Sequence, residues 1–370
     1  MFSDPDTIVI GGGVVGLSIA YGLARAGEQV RVLDEGDDAF RAARGNFGLV
    51  WVQGKGADKP PYALWSLGSS RLWPAFAEEL NRRTGIDLQL AQSGGLMLSL
   101  SEADLQARAE LMRKLADELT ALGVSYPHEI LGANALRELC PHVGPDVVGG
   151  CFSPMDGHVS PLKLLRSLMD AVSALGGEIR TGRHVDAIEH RGGAFHVRTG
   201  DTTHVAAKLV LAAGLGVAKL APMVGLSAPV EPLRGQVLIT ERVERFLDLP
   251  TGSVRQTGDG GVQIGESHED VGFDDQTTTA ELSRIADRAR RMFPLLAGVN
   301  VVRTWGALRV MTPDGYPIYQ ASTECPGAFV VTCHSGITLA AQHAGPIADW
   351  IRGGPKPAIL ANFKAERFHV

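Results

Sequence analysis

Three glycines near the start of the chain have the spacing of a turn that binds phosphate groups. Gly11, Gly13 and Gly16 satisfy the pattern G-x-G-x-x-G. The first glycine permits a tight turn, the second lets a diphosphate approach the backbone, and the third lets a helix pack closely on a strand. Asp34 follows 18 residues after Gly16, where a carboxylate can accept hydrogen bonds from ribose hydroxyls, and Glu35 is the alternative ligand. These residues predict dinucleotide binding; the alternative is a glycine-rich packing turn.

The segments around these glycines predict the elements that would position them. Residues 7–10 and 29–33 are short apolar runs typical of strands, and residues 17–26 have helical character. This order predicts a strand–helix–strand unit whose helix begins at the glycine turn and directs its free N–H groups at the phosphates. Further apolar patterns predict a strand over 88–100, a fully buried parallel strand at 209–214, and helices over 101–122, 162–175, 278–293 and 337–351.

The composition argues against several other classes of protein. The 370 residues include 41 acidic and 35 basic side chains, and the resulting net charge of −6 argues against a nucleic-acid partner. The four cysteines show no C-x-x-C spacing, so we expect no disulfide framework, zinc ribbon or iron–sulfur cluster. Because neither H-E-x-x-H nor G-x-S-x-G occurs, we also expect no metal site and no serine hydrolase.

The beginning of the chain does not resemble a secretory signal. Asp4 and Asp6 precede the first apolar stretch, and no lysine or arginine does. The stretch itself, residues 8–24, is marginal in length for a bilayer and is better explained as a strand, a turn and a helix. We therefore expect a cytoplasmic protein, with peripheral attachment to the inner face of a membrane as the alternative.

Four later segments follow the glycine turn in an order known from one enzyme family. They are D-G-x-x-x-P at 156–161, A-A-G at 212–214, R-x-x-T-P-D-G at 309–315 and H-S-G-I-T-L at 334–339. Together with the glycine turn, this order resembles the D-amino-acid oxidase-like superfamily of FAD enzymes, which includes glycine oxidase, sarcosine oxidase and D-amino-acid dehydrogenases. The resemblance covers nearly the whole chain.

The resemblance implies a fold, a cofactor and a reaction. It implies an α/β protein with a discontinuous Rossmann-type FAD-binding domain over 1–80, 151–226 and 325–370, and a mixed or antiparallel-sheet substrate domain over 81–150 and 227–324. The expected reaction is oxidation of the C–N bond of an amino, imino or N-substituted amino acid. Sarcosine oxidases carry a flavin-linked cysteine near the T-P-D motif, where this chain has Ala307, so we expect non-covalent FAD.

Arg309 is the sharpest candidate for a substrate-binding and catalytic residue. In the resembling enzymes the matching arginine binds the substrate carboxylate, and a planar guanidinium can form two parallel charge-assisted hydrogen bonds to such a group. Ala307 and Val310 depart from the family's G-L-R-P pattern, so the loop can differ in shape. The alternative role for Arg309 is a salt bridge between the domains.

The closing H-S-G-I-T-L segment is expected to face the flavin ring. The N–H groups at the start of its helix would stabilise negative charge on the reduced ring. His334 is a candidate ring ligand or proton-handling group, and Tyr316 a candidate substrate lid; the alternatives are a hydrogen-bonded structural histidine and ordinary aromatic packing. His158, His190 and His204 are expected to be solvated or to cap other elements.

A narrower likeness lies in the segments 34–36 and 44–53. They look like the flavin-bearing β subunits of bacterial opine, octopine or hydroxyproline dehydrogenase complexes, which implies an electron-accepting iron–sulfur partner subunit. Asn46 would then contact substrate or cofactor, with a purely structural turn as the alternative. The resemblance as a whole places FAD against Gly11, Gly13, Val14, Val15, Gly16, Asp34, Glu35, Arg44, Asn46, Phe47, Gly48, Val185, Ala213, Gly214, Arg309, Ser335, Gly336, Ile337 and Thr338.

The acceptor of the electrons stays open at this point. A self-sufficient oxidase like glycine oxidase would use dioxygen, whereas a dehydrogenase subunit would use a quinone or its partner. A non-catalytic FAD module and an FAD hydroxylase that needs a nicotinamide are rivals from other classes. The chain could also form a homo-oligomer with a small amino or imino acid as its substrate.

Overall fold

The computed structural model describes residues 4–36, 42–265 and 267–368. The strands in these ranges are β1 Thr7–Ile10, β2 Val30–Leu33, β3 Leu49–Val50, β4 Gly95–Ser99, β5 Glu129–Gly132, β6 Gly149–Ser153, β7 Gly157–His158, β8 Glu178–Arg180, β9 Ala187–Arg191, β10 Ala194–Thr199, β11 Thr202–Ala206, β12 Lys208–Leu211, β13 Glu231–Arg242, β14 Val254–Gln256, β15 Gly261–Ile264, β16 Val301–Met311, β17 Ile318–Ala321 and β18 Ala328–Thr332. The α-helices are α1 Val14–Arg25, α2 Pro60–Thr84, α3 Glu102–Ala121, α4 Ala133–Leu139, α5 Pro161–Ala174, α6 Val217–Leu220, α7 Thr279–Met292, α8 Gly336–Gln342 and α9 Ala348–Ile351.

A six-stranded sheet forms the centre of the fold. Its order is β17-β18-β12-β1-β2-β8, and every neighbouring pair is parallel except β17 with β18. All four residues of β1 and the last three of β12 are buried, as expected for strands that are apolar apart from their first residues, Thr7 and Lys208. The parallel strand predicted at 209–214 is confirmed as β12. Because β1, β2, β12 and β18 run in the same direction, their carboxyl ends lie at one edge of the sheet.

Two apolar layers cover the faces of this sheet. Helices α1, α2, α5 and α8 pack on one face, where Tyr21, Trp73 and Leu339 are fully buried. The small antiparallel sheet β11-β10-β9 covers the other face and buries Phe195. Helix α1 also packs closely against the segment after α8. A side chain added at Gly22 would overlap the carbonyl oxygen of Ala344.

A second group of sheets is antiparallel. The four-stranded sheet has the order β14-β15-β13-β16, and a three-stranded sheet has the order β4-β6-β5. Helix α7 packs on the first of these, burying Ile285 and Met292 with Leu238. The expected α/β class with an additional antiparallel part is confirmed, whereas the exact boundaries between the two domains remain a prediction.

Two elements differ from their sequence-based prediction. The helix predicted over 337–351 is interrupted, because Gly345 has non-helical angles (φ −109°, ψ −106°) and Pro346 cannot donate a hydrogen bond. The strand predicted over 88–100 is limited to Gly95–Ser99. The other predicted helices are present with their ends shifted slightly, and Ser101 caps α3 by accepting a hydrogen bond from the Asp104 N–H. None of the helices in the described ranges has the length and apolar character to cross a membrane.

Candidate cofactor and substrate site

The glycine turn after β1 has the geometry that its sequence predicts. Gly11 has φ +110°, and a side chain there would overlap the backbone of Ala212 at the end of β12. A side chain at Gly16 would overlap the carbonyl oxygen of Gly11. At Gly13, in contrast, an added Cβ would meet only the Ala43 side chain, at 3.7 Å. The turn is therefore closed on the protein side and open on the side where a diphosphate would lie.

The carboxylate of Asp34 is held beside this turn. Its Oδ2 accepts a hydrogen bond from the Gly12 N–H at 2.7 Å, and its Oδ1 accepts one from the Gly36 N–H at 2.9 Å. Glu35 points the other way and pairs with His184 Nδ1 at 2.8 Å on the surface. Of the two predicted ribose ligands, Asp34 is thus the one that lies at the glycine turn.

A loop between α1 and α2 continues the site from the glycine turn. Asn46 Oδ1 accepts a hydrogen bond from the Gly48 N–H at 2.7 Å, so its side chain braces the loop. Gly48 has φ +90° and lies so close to Val159 that a side chain would overlap the Val159 carbonyl oxygen. Arg44 is exposed at the start of this loop. The proposed contacts of Asn46 and Arg44 with a ligand stay predictions.

The start of α8 meets both the glycine turn and this loop. An added Cβ at Gly336 would lie 2.9 Å from the Val14 side chain and 3.2 Å from that of Val15. Thr338 Oγ1 accepts a hydrogen bond from the Trp51 N–H at 3.2 Å and donates one to the Leu49 carbonyl at 3.3 Å. The first and last predicted cofactor segments therefore lie next to each other.

Three more of the predicted cofactor residues lie near the carboxyl ends of the parallel strands: Ala213, Gly214 and Val185. Ala213 and Gly214 directly follow β12, and the Val310 side chain lies 3.5 Å from a Cβ added at Gly214. Val185 is buried beside the Asp34 end of the sheet, next to His184. Open space at Gly13, a helix α1 whose first turn has no side-chain cap and the ribose-type acid together fit a dinucleotide such as FAD.

Arg309 lies on β16 and is oriented by the backbone of two neighbouring segments. Its Nη1 donates hydrogen bonds to the Ser267 carbonyl at 2.7 Å and to the Arg234 carbonyl at 3.2 Å. Gly235 makes room for the guanidinium, since an added Cβ would lie 2.5 Å from both terminal nitrogens. These contacts fix the plane of the guanidinium, as recognition of a planar carboxylate requires.

His334 precedes α8 by two residues, and the charge of Arg309 acts on it. Its ring is solvent-exposed, yet the surrounding protein lowers its pKa to about 3 by desolvation and by the charges of Lys55, Arg309 and His268. An imidazole with that pKa is neutral at physiological pH and is a weak proton acceptor. It can still accept a hydrogen bond from a substrate amine.

Lys55 lies near His334, because it contacts the neighbouring Ser335. It was not predicted from the sequence. Its ammonium donates a hydrogen bond to Ser335 Oγ, which also accepts one from Tyr62 Oη at 2.9 Å. The sequence signal that could have identified it is a lysine between two glycines, Gly54 and Gly56. In the structure both glycines have positive φ angles (+79° and +72°). Such a tight loop holds the lysine side chain near the start of α8.

Tyr316 packs in an aromatic cluster near the same helix. Its ring meets that of Tyr62 edge to face at 5.1 Å, and the Lys59 ammonium lies 5.1 Å from its centre. Its carbonyl accepts hydrogen bonds from Thr312 Oγ1 at 2.7 Å and from Arg367 at 2.9 Å. These contacts account for packing of Tyr316, and its role as a substrate lid stays a prediction.

The expectation that His158 and His204 are solvated or capping residues is wrong. Both are buried, and His204 shares a hydrogen bond with Thr199 Oγ1 at 3.0 Å. His158 lies 3.2 Å from the guanidinium of the buried Arg255, and burial together with that positive charge lowers its pKa to about 3. Strands β7 and β14 bring His158 and Arg255 together from distant parts of the sequence, so local sequence patterns do not reveal this pair.

Asp156 is a buried carboxyl group that braces the loop before Lys55. Its Oδ1 accepts hydrogen bonds from the Val52 N–H at 2.5 Å and the Gln53 N–H at 3.3 Å, and its Oδ2 accepts one from Gln53 Nε2 at 2.7 Å. Burial nevertheless raises its pKa to about 7, because desolvation of the carboxylate outweighs these hydrogen bonds.

Replacement of Asp156 by asparagine is expected to change how stability depends on pH. A folded-state pKa of about 7, against 3.8 for the exposed group, means that the native stability contributed by the neutral acid is complete below pH 4 and is lost as the pH rises to 7. That loss is on the order of 4 kcal/mol. Thermal unfolding of Asp156→Asn should therefore match the wild type near pH 3.5 and occur at higher temperature at pH 8. Parallel pH profiles for the two proteins would contradict this, and the exposed Asp186→Asn is the matched control.

Comparisons with known proteins agree with the family that the sequence motifs indicate. The model of the DAO family of FAD-dependent oxidoreductases matches residues 6–350. One subunit of the opine oxidase of Agrobacterium tumefaciens (strain Ach5) is 43% identical over 365 residues, covering 99% of this chain and 98% of that protein. Glycine oxidase from Bacillus licheniformis is 28% identical over 370 residues, covering 98% of this chain and 97% of that protein.

A crystal structure of glycine oxidase from Geobacillus kaustophilus has the same fold. It superposes with a TM-score of 0.91 at 26% identity, and the match covers all of both chains. The expected glycine-oxidase-like fold, the use of FAD and the assignment as an oxidoreductase are thereby confirmed. This chain belongs to the DAO family of FAD-dependent oxidoreductases.

Proposed function

We propose that this chain is the FAD-bearing subunit of an enzyme that oxidises an N-(carboxyalkyl)amino acid, a secondary amine of the opine type. The observation that carries the proposal is the 43% identity, over nearly the full length of both proteins, to one subunit of an opine oxidase. The broader activity, FAD-dependent oxidation of an amino-acid-type substrate, follows from the family and from the similarity to glycine oxidase.

In this proposal Arg309 binds a carboxylate of the substrate. Its guanidinium is already oriented by the carbonyl groups of Ser267 and Arg234, so little side-chain entropy is lost when the substrate binds. The carboxylate fixes one end of the substrate and thereby aims the carbon next to the amine at the flavin. Such positioning supplies most of the rate enhancement in a reaction of this kind.

The neutral imidazole of His334 would contribute orientation. The positive charges of Lys55 and Arg309 oppose its protonation, and they likewise favour the neutral form of a substrate amine. A neutral amine is the reactive form, because its lone pair assists departure of the hydride. His334 can accept the N–H hydrogen bond of that amine and hold its lone pair in the direction of the reacting carbon.

The redox chemistry is supplied by the cofactor. FAD, when bound, accepts a hydride from the carbon next to the nitrogen. The substrate would thereby lose two electrons and one proton, together as the hydride, and become a cationic iminium ion. Water would hydrolyse this ion to a 2-oxo acid and a free amino acid in its ammonium form, which keeps the N–H proton.

The electrons would leave the chain through a partner. The opine oxidase that contains the 43% identical relative is a multi-subunit enzyme, and we propose that an iron–sulfur-bearing partner accepts the electrons from this chain as well. Direct oxidation by dioxygen is the second candidate, favoured by the similarity in sequence and fold to glycine oxidase.

Anaerobic reduction of the purified FAD-loaded protein tests the reaction. We expect loss of the oxidised flavin absorbance with N-(carboxymethyl)alanine and related secondary amines, and slow or no loss with glycine. No bleaching by any amino acid or secondary amine, in protein that dithionite reduces fully, would overturn the proposal. Admission of air then separates the two acceptors: slow reoxidation supports the partner, and fast reoxidation supports an oxidase.

A further inference from the structure

Two cationic side chains from different parts of the fold act electrostatically on the imidazole of His334. Arg309 comes from β16 of the antiparallel sheet, whereas Lys55 comes from the loop between β3 and α2. The Lys55 ammonium donates to the hydroxyl of Ser335, the residue next to His334. Lys55 and Arg309 are therefore two separate cations near the position proposed for the substrate amine.

Within the part of the chain that the structure describes, Lys55 differs from a nearby lysine in having no carboxylate oxygen at salt-bridge distance. Lys59, four residues later, lies 4.0 Å from Asp314. Among the described side chains, no carboxylate oxygen lies within 4.0 Å of the half-buried Lys55 ammonium. Its polar contact there is the Ser335 hydroxyl, and the ring centre of Tyr62 is 5.9 Å away. An ammonium group has three N–H donors, so two of them remain for an anion.

We propose that Lys55 binds the second carboxylate of an N-(carboxyalkyl)amino acid whose first carboxylate is bound by Arg309. This inference rests on the proposed function and specifies its substrate class. A dicarboxylic secondary amine has one anionic group on each side of its nitrogen, so each of the two separate cations near His334 can bind one of them. An ammonium on a flexible stem tolerates a range of geometries, and this suits the carboxylate that differs in position among such substrates.

The proposed role of Lys55 also explains why the loop that carries it is held in place. Asp156 holds the backbone of Val52 and Gln53, and Gly54 and Gly56 adopt positive φ angles on either side of Lys55. The loop therefore fixes the lysine backbone from both sides. A rigid loop of this kind reduces the entropy that is lost when the ammonium pairs with a ligand.

A matched pair of substrates separates this role from a merely structural one. N-(carboxymethyl)alanine has two carboxylates, whereas N-methylalanine is the same amine with one. With the holoenzyme, Lys55→Met is expected to lower kcat/KM for the first by about 10- to 100-fold, the usual effect of losing one hydrogen bond to a charged group. The value for N-methylalanine should fall much less, because this amine has no second carboxylate for Lys55 to bind and loses only the effect of the Lys55 charge on the neutral amine. Lys55→Arg should retain the preference, and Lys59→Met should behave like the wild type.

Binding of unreactive analogues gives a second readout that needs no turnover. Diglycolate resembles the dicarboxylic substrate with an ether in place of the amine, and methoxyacetate is its counterpart with one carboxylate. Titration of the oxidised holoenzyme, followed by the change in the flavin absorption spectrum, should show tighter binding of diglycolate. Lys55→Met should remove that advantage by the same factor as in the kinetic test and leave methoxyacetate binding unchanged.

The outcomes distinguish this inference from the proposed function. Equal loss of activity with both substrates, or equal weakening of both analogues, would overturn the role of Lys55 and leave it as a support for Ser335 and α8. Selective loss of diglycolate binding in a protein that no secondary amine reduces would support the two-cation site while the proposed reaction fails. Unchanged preference in Lys55→Met would refute the inference with the reaction intact.

Discussion

Gly16→Ala is expected to yield a protein that no longer retains FAD. The added methyl group would overlap the carbonyl oxygen of Gly11, so the glycine turn and the start of α1 must separate. Overpacking of this kind costs about 1–3 kcal/mol in stability, and it also displaces the N–H groups that would bind the diphosphate. The affinity for FAD should fall at least about 100-fold. The ratio of flavin to protein absorbance after purification measures the effect.

Two further glycine variants show whether the effect is specific. Gly13→Ala adds a methyl group on the open side of the turn, 3.7 Å from Ala43, so the folded protein should tolerate it while FAD binding weakens. Gly132→Ala adds a methyl group where no atom lies within 4 Å, at an ordinary φ of −71°, and should change neither property. A Gly16→Ala protein with full FAD content would show that this turn does not bind the diphosphate.

Arg309→Met is expected to remove most of the activity while leaving FAD bound. The substitution deletes both the positive charge and the planar donors that we assign to the substrate carboxylate, and loss of such a pair costs about 2–5 kcal/mol. A decrease in kcat/KM of about 10²- to 10⁴-fold follows. Arg309→Lys should be intermediate, because a lysine keeps the charge but not the paired donors. Steady-state kinetics with an artificial electron acceptor measures both variants.

The hydrogen bonds of Arg309 to Ser267 and Arg234 make a structural control necessary. Flavin content and the thermal unfolding temperature should stay near the wild-type values in both Arg309 variants. Arg284→Met provides a matched control, since Arg284 pairs with Glu281 on the outer surface of α7. If Arg309→Met binds and oxidises carboxylate substrates as well as the wild type does, Arg309 has the structural role that was its alternative.

The local parts of the site could be predicted from the sequence. The fingerprint glycines, the acid at Asp34 and the helix after them depend on interactions within one strand–helix–strand unit, so their spacing carries the information. The order of five motifs indicated the family, because their succession along the chain is similar to that of the D-amino-acid oxidase-like enzymes.

The residues that escaped prediction depend on contacts between distant segments. Lys55 is an ordinary lysine until the loop brings it to Ser335, 280 residues away in the chain. Asp156 was visible as part of a motif, yet its raised pKa results from burial beneath a loop about 100 residues earlier. Arg255 and His158 lie on strands of two different sheets and meet only in the assembled fold. Burial and charge at such positions are properties of the assembled fold, and local spacing does not encode them.

The contact between Gly22 and the Ala344 carbonyl has a consequence for motion. Helix α1 and the interrupted helix behind the flavin segment touch there backbone to backbone, and Arg25 Nη2 adds a hydrogen bond to the same carbonyl at 3.0 Å. Neither helix can slide or rotate on the other without breaking these two contacts. The two segments that we expect to hold the ends of the dinucleotide therefore move as one unit at this contact, and we expect any motion that admits a substrate to come from the antiparallel sheet that carries Arg309.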